Sequence, residues 1–305
     1  MKILSVEFME NWSWGFIFNE FCKHSKDKHT IVRHFMDKHR DIPEHTINAD
    51  TQLIQNVTLL NRVKEKAKSI CRLGGNRSFE EDGRSVDLYI RNMAKCAAII
   101  ATNKKLYEIG KEANPNTYLI PNGLNIEEWV PDPNKKPRKN FVVGFCGNIS
   151  LHRYRKYKGF DCVFEAVKSS GCHLKTALYK DKQIPHERMM QDFYYQIDVL
   201  IHPTLGEGSS NTLMEACACG IPIITTRCAG YHGEMMKDEI DVLFCERTPK
   251  SVYSKLQMIK NNPELQKTLS ENSRKFAEDH HDVRKIVLQY EEVFQKCYER
   301  SKRKG

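Results

Sequence analysis

Short apolar runs alternate with amphipathic stretches along nearly the whole chain. KILSVEFM, residues 2–9, is the first apolar run. NWSWG follows as a turn, and FIFNEFCKHS has the spacing of an amphipathic helix. KHTIVRHF (28–35) reads as a second strand. TQLIQNVTLL (51–60) reads as a third, although its apolar positions fit both the two-residue and the 3.6-residue period. KSICRLGG (68–75) is a fourth strand with a Gly-Gly exit. VDLYIRNMAKCA (86–97) has helical spacing, CAAIIAT (96–102) reads as a buried strand and KKLYEIGKEA (104–113) as a helix. TYLIPNG (117–123) is a strand stopped by a Pro-Asn-Gly turn.

The alternation breaks at WVPDPNKKPRKN (129–140), which is rich in Pro and Lys, carries no hydrophobic period and reads as an interdomain linker. It then restarts. NFVVGFCGN, CHLKTALY, VLIHPT, IPIITT and VLFCE read as strands; FDCVFEAVKS, HERMMQDFYYQI and TLMEACACG read as helices between them. The remainder, SVYSKLQMIKN, PELQKTLSENSRKFAED and DVRKIVLQYEEVFQKCYERSK, is helical. Strands alternating with helices predict parallel sheets covered on both faces, an α/β class. The break predicts two doubly wound, Rossmann-like domains, 1–132 and 133–283. Two such units in tandem predict a ligand cleft at the carboxyl ends of their strands.

Bulk numbers and single residue types sharpen this picture. With 305 residues, 40% hydrophobic and 29% charged, the chain can bury two ordinary cores. No apolar run approaches the roughly 20 residues that span a bilayer. Glu7 and Glu10 interrupt the leader-like start MKILSVEF and no small-residue cleavage site follows, so it reads as a buried strand and the protein as cytoplasmic. The eleven cysteines are scattered without a C-x-x-C and read as reduced, buried thiols. Cys217 and Cys219 do not suit a metal, because one intervening helical residue turns side chains apart by about 200°. His24, His29, His34 and His39 recur at an interval that keeps no common helical face, and no metal is expected there. The formal charge of +9 fits an acidic partner: a nucleotide diphosphate, an anionic membrane touched peripherally, or nucleic acid.

The chemistry concentrates in LIHPTLGEGSSNTLMEACACGIPIITT, residues 200–226. A buried strand ends at Pro203, a polar loop carries Gly206, Glu207, Gly208, Ser209 and Ser210, and a helix starts near Asn211. Glycines let backbone N–H groups approach an anion. Ser209 or Ser210 can cap the helix, and its N-terminus offers unpaired N–H groups and partial positive charge. Glu215, about one turn in, can accept hydrogen bonds from ribose hydroxyls, and Glu207 from sugar hydroxyls, since a carboxylate presents two acceptor oxygens. The spacing alone fits equally a plain strand–loop–helix with solvated glutamates.

Glu207 and Glu215 with seven residues between them, followed by ACACGIPIITT, resemble the E-x(7)-E signature of retaining GT-B glycosyltransferases, family 4 in particular. YLIPNGLNIEEWVPDP resembles that family's interdomain passage, and VVGFCGN…KGFDCVFEAV its first donor-domain strand and helix. The resemblance covers residues 100–298 well and residues 1–99 only loosely. It implies a GT-B architecture and transfer, with retention and without a metal or other cofactor, of a sugar from a nucleotide-sugar co-substrate, a UDP-sugar. It implies that Glu215 holds the donor ribose and that Glu207 lies beside the transferred sugar. Gly147, Asn148, Gly208, Ser209, Ser210, Asn211 and Thr212 would then form the donor cradle. Lys158, before Gly159, fits the family's diphosphate-facing lysine. Asn148 stands where an arginine is common, and Arg153 or Arg155, in a run that reads otherwise as a basic loop, can supply that charge. In the first half, Gly15 corresponds to a glycine turn after the first strand. Arg72, Gly74, Asn76 and Arg77 in ICRLGGNR can touch donor or an anionic acceptor, or form a loop of surface charges. The last helix, within 284–305, resembles the family helix that returns to the N-terminal domain. The expected acceptor is a glycan. A hydroxymethylated base in DNA is the alternative, motivated by the charge and the basic ICRLGGNRSF loop. Outside transfer, a nucleotide-sugar epimerase or hydrolase lacks a recognisable base in the sequence. A non-catalytic nucleotide-sugar sensor is the third class.

Overall fold

The computed structural model describes residues 1–7, 13–25, 28–36, 49–63, 65–76, 79, 83–136, 138–181 and 183–303. They form two compact units, one of residues 1–123 with 283–305 and one of residues 124–282. The chain therefore divides after Gly123, ahead of the Pro/Lys-rich stretch, and the residues up to 132 belong with the second unit.

The first unit carries a six-stranded parallel sheet in the order β2-β1-β3-β4-β5-β6. Its strands are β1 (Lys2–Glu7), β2 (Thr30–Phe35), β3 (Thr51–Ile54), β4 (Ser69–Leu73), β5 (Ala98–Ala101) and β6 (Thr117–Leu119). β3, β4 and β5 are buried at every position, the mark of a parallel sheet covered on both faces. TQLIQNVTLL resolves its ambiguous period by division. Residues 51–54 pair with β1 and β4, and Val57–Arg62 turn into a short 3-10 helix capped by the Asn56 side chain. One face carries α2 (Gly83–Met93) and α3 (Lys104–Ala113), with Leu4, Leu60, Tyr89, Ile99 and Leu106 in its core. Asn103 caps α3 by accepting the Leu106 N–H at 2.8 Å.

The other face is closed by α1 (Ser13–Ser25) and by α11 (Val283–Lys302), the last helix of the chain. Phe18 and Phe21 of α1 stack at 5.2 Å, and Tyr290 and Phe294 of α11 meet Phe21 edge-on at 5.3 and 6.1 Å. Ile286, Val287, Val293 and Cys297 complete that stripe at helical spacing. The segment 283–302 is thus part of the first unit's core, although it is last in sequence.

The second unit carries a five-stranded parallel sheet, β11-β10-β9-β7-β8. Its strands are β7 (Val142–Gly147), β8 (His173–Leu178), β9 (Val199–His202), β10 (Ile223–Thr225) and β11 (Leu243–Phe244). The helices are α4 (His152–Lys158), α5 (Phe160–Ser170), α6 (Met189–Asp192), α7 (Asn211–Ala218), α8 (Tyr231–Met235), α9 (Pro249–Lys260) and α10 (Pro263–His280). Two expectations are corrected. HRYRKYKG is a helix, α4, ended by Gly159 at φ 74°, and not a loop. HERMMQDFYYQI is no continuous helix: α6 lies between two 3-10 turns, His186–Arg188 and Tyr194–Gln196. Its aromatic residues are spent on the core, where Phe193 and Tyr194 are fully buried. Strand order reverses between β7 and β9, since the chain runs outward to β8 and returns to the other side of β7. Ligands of doubly wound sheets bind outside the carboxyl ends of strands at such a reversal. Among the described residues, no helix is long and apolar enough to cross a membrane.

The packing of α11 is testable. Phe294 is fully buried, and Phe294→Ala is expected to cost about 3–5 kcal/mol. Leu288, on the same helix and 59% exposed, is expected to tolerate alanine within about 0.5 kcal/mol. Urea midpoints check both, and equal effects at the two positions would contradict the assigned face.

Candidate functional site

The reversal between β7 and β9 is flanked by two sequence-predicted segments. β7 ends at Gly147, whose α-carbon lies so close to Lys158 that an added methyl would touch its side chain at 3.7 Å. β9 ends at His202, and the loop Pro203–Ser210 follows. Lys158, the last residue of α4, reaches into this loop and its Nζ donates to Glu207 Oε1. Gly159 makes that approach possible. Its φ of 74° is left-handed, and a Cβ there would strike the Pro203 carbonyl.

Glu207 is held from several sides. His202 Nε2 lies 3.1 Å and Thr204 Oγ1 3.3 Å from the same Oε1 that Lys158 contacts. Burial by itself would raise the Glu207 carboxyl. The Lys158 charge, then the bonds from His202 and Lys158, overcome this and hold it well below the usual carboxylate range. The group is therefore an ionised acceptor. His202 is fully enclosed, and burial pushes its imidazole down against the opposing pull of the Glu207 bond.

The loop is fixed from behind by the turn before α8. Ser209 bridges Gly230, and the Tyr231 N–H donates to the Gly208 carbonyl at 2.8 Å. Gly230 sits at φ 62°, where any Cβ would collide with the carbonyl oxygens of Glu207 and Gly208. Of the two serines expected as possible caps, Ser210 occupies the cap position of α7, and its hydroxyl makes no cap hydrogen bond there.

Glu215 is buried in the second turn of α7, where Leu213–Ala218 are all enclosed. Its carboxylate accepts from Tyr194 Oη at 2.8 Å and lies 3.3 Å from His186 Nε2. Trp129 covers these partners, with its ring 5.3 Å from His186 and 6.0 Å from Tyr194. Burial, and then the Glu215 charge, push the Tyr194 hydroxyl well up, so it remains a donor. Thr212, at the start of α7, engages Cys146, whose thiol burial pushes up to about 12. Glu207, Glu215, Lys158, Gly147, Gly208 and Thr212 are thus gathered around one end of one sheet.

Other predicted residues lie elsewhere. Arg153 is exposed on α4 with its guanidinium on Tyr154, and Arg155 pairs with Asp161. Neither contacts the Lys158–Glu207 pair among the described residues. Asn148 forms a local turn, accepting from the Ser150 N–H and hydroxyl at 3.0 and 2.7 Å. In the first unit, Gly15 is buried in the first turn of α1 and not in a loop ahead of it. Arg72 is 4% exposed, which corrects the reading of a surface-charge loop there. Its guanidinium donates to Asn122 Oδ1 and also bonds Tyr290. Gly74 leaves room for that guanidinium, and Asn76 accepts from Asn103 Nδ2 at 3.2 Å. Arg77 lies outside the described residues. Among the described residues no group of three His, Cys, Asp or Glu side chains is placed to hold a metal ion.

Sequence reading missed Tyr194, His186, Thr204 and His202. Only His202 left a signal, as the single imidazole in the apolar run VLIHPT. Tyr194 and His186 were hidden in a segment whose pattern imitated one amphipathic helix.

The chain is similar in sequence and in fold to known glycosyltransferases. Residues 172–262 match the family model described as Glycosyl transferases group 1. The chain is 25% identical over 189 residues to the capsular polysaccharide biosynthesis glycosyltransferase CapM of Staphylococcus aureus, covering 52% of this chain and 48% of CapM. It is 23% identical over 229 residues to the O-antigen biosynthesis glycosyltransferase WclY of Escherichia coli, covering 64% of this chain and 62% of WclY. The matched regions thus span only about half of these relatives. Among solved structures, the Anabaena Alr3699/HepE complex with UDP and glucose superposes with a TM-score of 0.78 at 14% identity, over 97% of this chain and 99% of that one. The fold is therefore the GT-B type, two Rossmann-like units.

Two measurements test the geometry around Glu207. A carboxyl lowered on folding stabilises the native state above its unfolded value, about 4.3, and that contribution fades as pH falls below it. The wild-type advantage over Glu207→Gln in urea midpoint is expected to shrink between about pH 5 and pH 3; a constant difference would contradict the ion pair. Gly230→Ala is expected to destabilise the protein by about 1–3 kcal/mol, because its left-handed φ and the Glu207 and Gly208 carbonyls leave no room for a Cβ, measured as a urea midpoint; an unchanged midpoint would contradict the close approach.

Proposed function

We propose that the second unit binds a nucleoside diphosphate sugar, a UDP-sugar, and that the protein transfers the sugar with retention to an acceptor hydroxyl on a glycan. The observation that carries this reading is the convergence of Lys158, Glu207 and Glu215 on the β7/β9 reversal, where doubly wound sheets take their ligands. The family-model match over residues 172–262 includes both glutamates. UDP is the nucleotide bound in the Anabaena protein, and CapM and WclY are named for polysaccharide and O-antigen synthesis. Those names favour a glycan acceptor over a modified DNA base.

In this reading the diphosphate sits against the start of α7 and the Lys158 ammonium. The helix end supplies backbone N–H groups and partial positive charge, worth about 0.3–1 kcal/mol toward an anion at an exposed site. Lys158 adds a full charge, and its stem passes Gly147, where the missing side chain leaves the strand end open. As the bond between the anomeric carbon and the β-phosphate oxygen breaks, negative charge grows on the leaving diphosphate. The helix end and Lys158, once it turns from Glu207 to the phosphate, oppose that charge, which is electrostatic stabilisation of departure. Glu215 exchanges its bonds to Tyr194 and His186 for ribose hydroxyls. Glu207, kept ionised, accepts from the hydroxyls of the transferred sugar.

Thermal shift against a panel of nucleotide sugars tests the reading, because a ligand of the native state raises the melting temperature. A shift with one donor, lost in Glu215→Ala, is the expected result; no shift with any nucleotide sugar would contradict it. Lys158→Ala is expected to lower kcat on the order of 10²–10³-fold, in the range for loss of one stabilising donor. The anomeric configuration of the product, read by NMR, decides retention.

A further inference from the structure

The β9 run Val199–His202 is buried throughout, and its last residue is the one imidazole in it. His202 is locked by its backbone: its carbonyl accepts from Thr225 Oγ1 at 2.6 Å, and it pairs in register with Thr225 of β10. Its ring is fully enclosed, and Nε2 lies 3.1 Å from Glu207 Oε1. An ionised carboxylate only accepts, so the proton of this bond sits on Nε2. Nδ1 has no hydrogen-bond partner among the described residues, so the ring has no second acceptor that would favour the doubly protonated form. His232, also fully buried, lies behind it. Among the described residues, the titratable groups that act on Glu207 include Lys158 from α4, His202 from β9 and His232 from α8.

Lys158 and His202 act on the same oxygen but differ in kind. Lys158 is a flexible, strongly hydrated point charge at the rim, 24% exposed. It is also the group that the donor diphosphate would draw away from Glu207. His202 is rigid, dry and fixed to the sheet. When Lys158 turns toward phosphate, His202 still holds Oε1, together with Thr204 at 3.3 Å.

We propose that His202 is a positioning residue for donor-sugar recognition, holding the Glu207 carboxylate in place by its Nε2 proton while Lys158 is engaged by the diphosphate. This rests on the donor-binding reading above. It assigns to His202 no contact with the sugar or the reacting atoms. Its effect passes through Glu207, so it acts on the sugar half of the donor and leaves the nucleotide half, gripped at Glu215, unchanged.

The experiment compares wild type, His202→Leu and His202→Gln. Glutamine places an amide N–H near the position of Nε2, and leucine fills the space without a donor. UDP affinity is read by calorimetry. Turnover is read as UDP released from UDP-glucose: a water oxygen bonds the anomeric carbon, the bond from that carbon to the β-phosphate oxygen breaks, UDP departs with its electron pair and the water proton passes to solvent. For His202→Leu the expected result is UDP affinity within about threefold of wild type and kcat lowered at least about tenfold. His202→Gln is expected to recover kcat to within about threefold. Equal turnover in His202→Leu and wild type, with UDP still bound, overturns the assignment and leaves the donor reading standing. An equal loss in both variants also overturns it, since the donor proton then does not matter. No UDP binding by the wild-type protein overturns the donor reading and this assignment with it. A readout independent of variants and ligand is the ¹⁵N spectrum of the His202 ring in the ligand-free protein: a neutral ring protonated on Nε2 is expected, and protonation on Nδ1 alone overturns the proposal.

Discussion

The site depends on a carboxylate kept ionised inside a loop where burial works against its charge. Glu207 is only 17% exposed, and enclosure on that scale disfavours charge. Lys158 and His202 reverse the balance, and both are delivered by main-chain features. Lys158 ends a helix because Gly159 adopts a left-handed conformation against Pro203. His202 ends a strand fixed on both sides, by β7 and β10. The loop between them cannot drift, because Gly230 lets a second backbone lie against the Glu207 and Gly208 carbonyls. Two glycines and one strand end thus set the geometry of the ion pair.

Glu215 follows a different logic. It is buried in a short helix whose other enclosed residues are apolar, and its carboxylate meets a tyrosine hydroxyl at 2.8 Å and an imidazole nitrogen at 3.3 Å. A hydroxyl donor binds a carboxylate less strongly than a cation does. The two glutamates of one motif are thus held differently. Glu207 is clamped by the Lys158 charge, and Glu215 lies against the Tyr194 hydroxyl and the His186 ring.

The first unit is built on the same sheet plan but carries its polar groups as structure. Arg72, Asn122 and Tyr290 join β4, the turn after β6 and α11 through one buried guanidinium. This is why the last helix belongs to the first unit's core: it supplies both the aromatic stripe of Tyr290 and Phe294 and a partner for Arg72.

Much of this was legible in the sequence. Alternating strands and helices, fully apolar strands and the E-x(7)-E spacing stand in plain one-dimensional patterns. What escaped has a common cause. HERMMQDFYYQI keeps apolar residues at helical spacing, yet Tyr194 and His186 serve Glu215 through two 3-10 turns, a tertiary demand that overrides periodicity. HRYRKYKG has too few apolar residues to signal a helix, yet His152–Lys158 form one that ends at the left-handed Gly159. Arg72 looked like surface charge because its partners Asn122 and Tyr290 are distant in sequence. The most direct test of the account is hydrogen–deuterium exchange on adding UDP. Protection concentrated in residues 147–159 and 203–216 is the predicted result; protection confined to other segments, or none at saturating UDP, would contradict a nucleotide site at the β7/β9 reversal.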